Sequence, residues 1–459
     1  MSETRAPYLA RGVPFLGALL RLRTDPLGTL EQLSRAHAGV IQLKPRWYFV
    51  SSPDDLQRVM AGPVHYTKGA FSKSVARTMV DPLADLLGEG LLNSEGELWK
   101  KQRKLSQQAF SRPRLRLLIP AMVGAAQALV ERWNGAMRRS ESVEAVEEMR
   151  QVALDAMSRT IFSTPITVAR GLGDAFSEAL VEAVVITNEE FWSIVPIPVW
   201  LPTPSNLRWR RLMRTIDAGV ARRIEERRQE GGPGDDLLSA FMTARNEQTG
   251  EGMSDRHLRD EVLTLMVAGH DSTAQALCWT LHLLAEHPGA AARARAELDE
   301  VLGDRPPTAD DLPRLTYLTC VLHESMRLYP PAWMLVRSPT TEDLVGGCRI
   351  PARAVVISSP YATHRRPDLW EDPERFDPER FTAERSAGRP RYAYFPFGGG
   401  GRQCIGNLFA LQEMQIVVAM LLQRFELRPA PGRRVEVKAA LTLRPKRGLP
   451  LHLSPRRSR

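Results

Sequence analysis

Phe397-Gly-Gly-Gly-Gly-Arg-Gln-Cys-Ile-Gly406 is the stretch on which the reading of this chain turns. Cys404 is held by a glycine-rich loop and followed at once by an apolar segment of helical character, Ile405 to Leu422, so its sulfur is presented to whatever lies across the loop. That arrangement suits a thiolate ligand. With the other cysteines, Cys278, Cys320 and Cys348, Cys404 makes a set of four spaced 42, 28 and 56 residues apart, which fits neither a zinc cluster nor a dense disulfide framework. A reducing compartment is therefore expected.

Upstream of the loop, residues 365–391 show little periodicity and much Pro, Asp and Arg, including the doublet Asp372-Pro-Glu-Arg-Phe-Asp-Pro-Glu-Arg-Phe381. This reads as a long ordered loop, a type of segment that is usually functional. Before it comes Glu324-Ser-Met-Arg327, whose acid and base share a helix face at i, i+3 and can hold a third group, an arginine of the long loop. Such pairs are common by chance, and this one gains weight from Leu328-Tyr-Pro-Pro331, which ends the helix and leads into Arg337. Earlier still, Asp255 to Glu286 reads as one helix, opened by Ser254 as N-cap and closed by His287-Pro-Gly. At ~1.5 Å per residue it is about 48 Å long, which makes it a central helix. Ala268-Gly-His-Asp-Ser-Thr273 interrupts it, and a glycine with two hydroxyl residues predicts a locally opened turn holding an acid and an alcohol. Small residues at a helix crossing are the structural alternative, and His270 receives no role.

Further helices are predicted at 99–110, 114–137, 143–162, 173–192, 207–228 and 235–246, and strands at 40–43, 48–51, 355–358 and within 435–453. The fold class is mainly α with a smaller β region, in one catalytic domain spanning residues 1–459 with short disordered tails. With 459 residues and 43% hydrophobic content there is material for a sizeable core. The N-terminal apolar run, Gly12 to Leu20, is too short to span a membrane and poor as a signal peptide, so a cytoplasmic protein without an integral anchor is expected. The net charge of +9 is spread along helices that also carry acids, as in Arg222-Arg-Ile-Glu-Glu-Arg-Arg228, rather than gathered into a nucleic-acid stripe.

Taken together, these segments resemble the cytochrome P-450 family of haem-thiolate monooxygenases, of the soluble bacterial type. Phe397, Gly400, Arg402, Cys404 and Gly406 match the family's haem-binding signature, 268–273 its oxygen-activation segment, Glu324 and Arg327 its Glu-x-x-Arg pair, and Phe376 to Phe381 the loop element whose Arg380 is the third partner. Trp99-Lys-Lys-Gln-Arg103 is similar to the element of a haem-flanking helix. The resemblance implies the family's fold, with haem b between the long central helix and the cysteine loop. It makes Cys404 the axial iron ligand, which favours O–O bond cleavage on the opposite face. Trp99, Arg103, Arg337 and Arg402 become propionate partners, Phe397 a shield for the sulfur, and Ala268, Gly269 and Gly406 further haem contacts. Asp271 and Ser272, with Thr273 in reserve, would relay protons. The relay position is usually threonine, and serine lacks the methyl that fixes its rotamer. Arg380 rather than Arg375 is preferred as third partner because Phe376 precedes its copy of the doublet.

The resemblance also places Phe71, Trp192, Thr264, Ala268, Trp333, Met334 and Thr442 in the substrate pocket. Most of the side chains there are apolar, with Phe71, Trp192, Trp333 and Met334 the bulky ones, which predicts a hydrophobic small molecule: a terpenoid, steroid, fatty acid or polyketide. The apolar stretch Phe191 to Leu201 could be an access lid or a membrane contact. With no flavin or iron–sulfur fingerprint, electrons are expected from a separate ferredoxin or flavodoxin with its reductase, steered to Lys100, Lys101, Lys104, Arg112, Arg114 and Arg116 of a monomeric enzyme. A peroxide-driven hydroxylase on the same fold is the nearest alternative, and the acid–alcohol pair argues against it. A non-catalytic haem sensor would not need that pair, and a phosphate-binding loop would want a Lys-Ser/Thr that is absent.

Overall fold

A computed structural model describes residues 6–10, 18–62, 64–68, 82–165, 173–190, 201–230, 234–432 and 434–456. They fall into two compact units, each assembled from three separated stretches: 1–78 with 323–404 and 438–444, and 79–322 with 405–437 and 445–459.

The first unit carries a six-stranded sheet, in the order Tyr8–Leu9, Ile41–Lys44, Trp47–Val50, Val355–Ser358, Leu335–Pro339, Tyr66–Thr67. Ile41–Lys44 and Trp47–Val50 form a hairpin, each strand one residue nearer the turn than the predicted 40–43 and 48–51, closed at Arg46, whose φ of 64° is left-handed. Val355–Ser358 is buried at every position, as an inner strand should be, and pairs parallel with Trp47–Val50 and antiparallel with Leu335–Arg337. Val50, Leu56, Val356, Ile350, Tyr392 and Phe395 pack together in this unit's core. Each large apolar side chain so buried contributes roughly 1.5–3 kcal/mol.

The second unit is helical. The 32-residue helix Asp255–Glu286 has the predicted bounds: the Ser254 hydroxyl accepts from the His257 amide, and Pro288 opens the next helix. It packs along Ala145–Phe162, and Arg112–Arg138 packs against both that helix and Asn407–Arg424. Residues 143–144, predicted as the start of a helix, form instead an edge strand, Val143 opposite Leu451 and Glu144 opposite Pro450. Glu144 then caps the helix by accepting from the Val146 amide, so the helix begins at Ala145. The segment predicted at 235–246 shortens to Leu237–Thr243, because Asp236 accepts from the Ser239 amide and fixes the start. Among the described residues no helix is long and apolar enough to cross a membrane.

Candidate active site

In the first unit the cysteine loop is shaped by its glycines. Gly398 and Gly400 have φ of 68° and 64°, and a β-carbon on Gly400 would lie 1.8 Å from the Met60 carbonyl oxygen. On Gly399 it would lie 2.3 Å from the Tyr392 ring. The loop thus lies against its neighbours by backbone alone. The Cys404 amide donates to the Phe397 carbonyl at 2.9 Å, closing the turn, and Cys404 is exposed while the other three cysteines are buried. Arg402 and Phe397 flank it, half-buried, and Arg337 is buried on the strand Leu335–Pro339. Trp333 and Thr442 are buried too: the Trp333 indole donates to Ala440 at 2.8 Å and the Leu443 amide to Pro331 at 3.0 Å. These bonds tie 331–334 to the turn 440–443. Met334 is half-buried.

Glu324 and Arg327, both 0% exposed, form the hub of this unit. Arg327 donates to both Glu324 oxygens, at 2.6 and 2.8 Å, and to the carbonyls of His364, Pro373 and Arg375. Glu324 also accepts from the Asp377 amide, and the Arg380 guanidinium stands 3.4 Å from it. Of the two arginines in the doublet, Arg380 therefore brings its side chain to the acid, whereas Arg375 offers its carbonyl to Arg327. A buried pair held by this many bonds meets the condition under which desolvation of both ions is offset. The cluster is bordered by His323, whose ring accepts from or donates to the Tyr394 hydroxyl at 2.9 Å and is pushed down to about 4, first by burial and then by the charge of Arg389.

In the second unit, the helix Asp255–Glu286 runs unbroken through 268–273. The predicted opening is reduced to one competing bond: the Ser272 hydroxyl donates to the Ala268 carbonyl at 2.6 Å. Ala268 is exposed and Gly269 and Ser272 are half-exposed, whereas Asp271 and Thr273 are buried and the Thr273 hydroxyl has no partner among the described residues. Ala268, Gly269 and Ser272 thus make an accessible patch on a helix that is mostly buried between Leu258 and Ala285. One turn back on the same face, Thr264 is buried beneath Gly90, on which a β-carbon would lie 2.1 Å from its hydroxyl oxygen. Trp99 and Arg103 are half-buried, four residues apart on one face of Gly96–Ala109. Gly406 has φ of −90°, and among the described residues a β-carbon there would come no closer than 3.7 Å, to Phe110. Phe71 and Trp192 lie outside the described residues.

Sequence reasoning missed one anchor of the second unit, the segment 86–91. The carboxylate of Asp260 accepts from the Glu89 amide at 2.9 Å, Arg259 donates to the Leu86 carbonyl at 3.0 Å, and Glu261 accepts from the Leu91 amide. A run of three charged residues inside a buried helix was the available signal. The basic residues expected to meet a redox partner are mostly paired within the unit: Lys100 with Glu97, Lys101 with Glu251, Lys104 with Glu247 and Arg116 with Asp310.

The exposed thiol on a glycine loop, the buried Glu–Arg–Arg cluster and the accessible patch of a long helix together suit a haem-thiolate protein. The cytochrome P450 family model matches residues 7–451. The chain is 34% identical to a cyclooctat-9-en-7-ol 5-monooxygenase of Streptomyces melanosporofaciens over 92% of its length and 89% of the relative's. It is 32% identical to a pentalenene oxygenase of Streptomyces avermitilis, covering 97% and 96%. A crystal structure of a cytochrome P450DA heme domain superposes with a TM-score of 0.86 at 27% identity, covering 99% of both chains. The chain belongs to the cytochrome P450 family and is a monooxygenase with a thiolate-ligated haem iron.

Proposed function

We propose that this enzyme inserts one oxygen atom of dioxygen into a hydrophobic terpenoid, using haem b and electrons from a separate ferredoxin or flavodoxin with its reductase. The observation that carries this reading is the exposed Cys404 thiol on its glycine loop, and the accessible Ala268, Gly269 and Ser272 on the mostly buried central helix support it. Support for the terpenoid class comes from the relatives, whose names specify oxygenation of cyclooctat-9-en-7-ol and pentalenene. The haem supplies dioxygen binding and activation. Cys404 would ligate the iron and lend it electron density, and the half-buried Phe397 would shield the sulfur once haem is bound. As the resemblance implies, Arg337 and Arg402, and likewise Trp99 and Arg103, would be the residues that hold propionates, since guanidinium groups suit carboxylates.

Ser272 is the proton-relay alcohol in this reading, because its hydroxyl is on the open side while that of Thr273 is buried. To deliver a proton it must turn its O–H away from the Ala268 carbonyl, giving up a hydrogen bond worth ~1 kcal/mol. Asp271 next to it returns the proton. The ion pairs on Lys100, Lys101 and Lys104 are exposed and weak, so an acidic partner can displace their acids. The work is that of a cytoplasmic, monomeric enzyme of secondary metabolism.

A spectrum tests the reading. The reduced carbon monoxide complex is expected to show the red-shifted Soret band of thiolate ligation, and Cys404→Ser to abolish it. A band that persists in the variant refutes the ligand assignment. Cyclic terpene hydrocarbons and alcohols are expected to produce a low-spin to high-spin shift, and a response confined to fatty acids would overturn the substrate class.

A further inference from the structure

Four consecutive glycines, 398–401, offer the cysteine loop no side chain with which to hold itself in place. Its position must come from the residues that enter it, and those are held by a side chain that the oxygenation chemistry does not use. His364 is 0% exposed. Its Nε2 accepts from the Phe395 amide at 3.0 Å, and its Nδ1 faces the Arg327 carbonyl at 3.3 Å. One neutral tautomer, with the proton on Nδ1, satisfies both. The His364 carbonyl accepts in return from the Arg327 guanidinium at 2.9 Å. The ring is wedged by Tyr394 at 5.1 Å, Phe395 at 5.4 Å and Trp370 at 6.5 Å.

From Phe395 the bonding runs directly to the sulfur-bearing residue. The Phe395 carbonyl accepts from the Gly398 amide at 2.9 Å, which makes the first turn, and the Phe397 carbonyl accepts from the Cys404 amide at 2.9 Å, which makes the second. We propose that His364 is a positioning residue for the thiolate: its imidazole joins the Glu324–Arg327 hub to the Phe395 amide and so holds the entrance of the glycine loop where Cys404 can ligate iron. Burial and the neighbouring Arg327 and Arg365 charges keep the imidazole neutral, as this bridge requires.

The inference rests on Cys404 being the iron ligand, and the test separates the two. Gln and Met at 364 have nearly the same length and shape, but only the amide can accept from Phe395 and donate to Arg327. In the reduced carbon monoxide complex, the ratio of thiolate-ligated to unshifted species is expected to stay near the wild-type value in His364→Gln. In His364→Met it is expected to fall roughly 5–10-fold, the effect of one buried hydrogen bond. Circular dichroism checks that both variants are folded. Should the methionine variant not accumulate, His364→Asn replaces it: its shorter amide cannot span both partners, and the same fall relative to Gln is expected. Equal ratios in the compared pair overturn the proposal. Absence of the thiolate band from the wild type would instead refute the ligand assignment and leave His364 with no thiolate to position.

Discussion

Replacing Glu261 by glutamine should make this protein more stable, by an amount that grows with pH. Glu261 is 1% exposed on the central helix. Burial pushes its carboxyl up to about 8; the Leu91 amide pulls it back somewhat, and the adjacent charge of Asp260 adds to the rise. Arg259 bonds Asp260 at 2.9 Å rather than Glu261, and one Glu261 oxygen has no partner among the described residues. A folded-state value above the unfolded one means that the folded chain binds the proton more tightly. The stabilising contribution is therefore complete below the unfolded value near 4.5 and is lost as pH rises through about 8. Each unit is worth ~1.4 kcal/mol, so by pH 7 the loss reaches about 3 kcal/mol. Glutamine keeps the acceptor for Leu91 and does not titrate. Urea unfolding of wild type and Glu261→Gln at pH 5, 6, 7 and 8 should show a stability gap widening by ~1.4 kcal/mol per unit until it levels near pH 8. A constant offset in stability, such as a changed hydrogen bond would cause, leaves this slope untouched. Parallel pH profiles would refute the reasoning, because they would mean that Glu261 is as solvated in the folded chain as in the unfolded one.

Gly90→Ala would push a β-carbon to 2.1 Å from the Thr264 hydroxyl oxygen and 2.6 Å from the Asp260 carbonyl oxygen. A loss of about 1–3 kcal/mol and faster amide exchange at Glu89 and Leu91 are expected, and unchanged exchange would show that 86–91 is not seated through this contact. Ser272→Ala should lower product formed per electron pair by at least about tenfold, whereas Thr273→Ala should change it little; the reverse order would transfer the relay to Thr273. Arg327→Lys removes the fork that reaches Glu324 and three carbonyls, leaving the buried carboxylate short of donors. A destabilisation of about 3–5 kcal/mol and poor haem retention are expected, read from the thermal midpoint and the Soret absorbance of purified protein.

Local signals made most of the skeleton readable. The central helix was bounded correctly because both of its ends are written within a few residues: the Ser254 hydroxyl at one, His287-Pro288 at the other. The Glu324–Arg327 pair was visible because i, i+3 geometry is local, and the doublet pointed to the loop that supplies Arg380. Non-local partners stayed hidden. Val143 looks helical until Leu451 is placed opposite it. Arg259, Asp260 and Glu261 stand out as a charged run in a buried helix, but nothing in their own sequence names the amides of 89 and 91 as the groups that lie against them. His364 was similarly silent: a histidine between Thr and Arg has no signature for a ring that joins two backbones.

The parallel pairing of Trp47–Val50 with Val355–Ser358 bears on how the chain is made. The two strands are about 300 residues apart, so a ribosome adding roughly 5–20 residues per second exposes the first for about 15–60 s before the second emerges. During that interval the hairpin Ile41–Val50 has an apolar open edge, the kind of surface on which nascent chains aggregate. Helices of the second unit meanwhile have most of their partners at hand. Recombinant yield should accordingly be limited by the fate of the N-terminal hairpin, and slower initiation, lower temperature or a holdase chaperone should help more than added haem precursor.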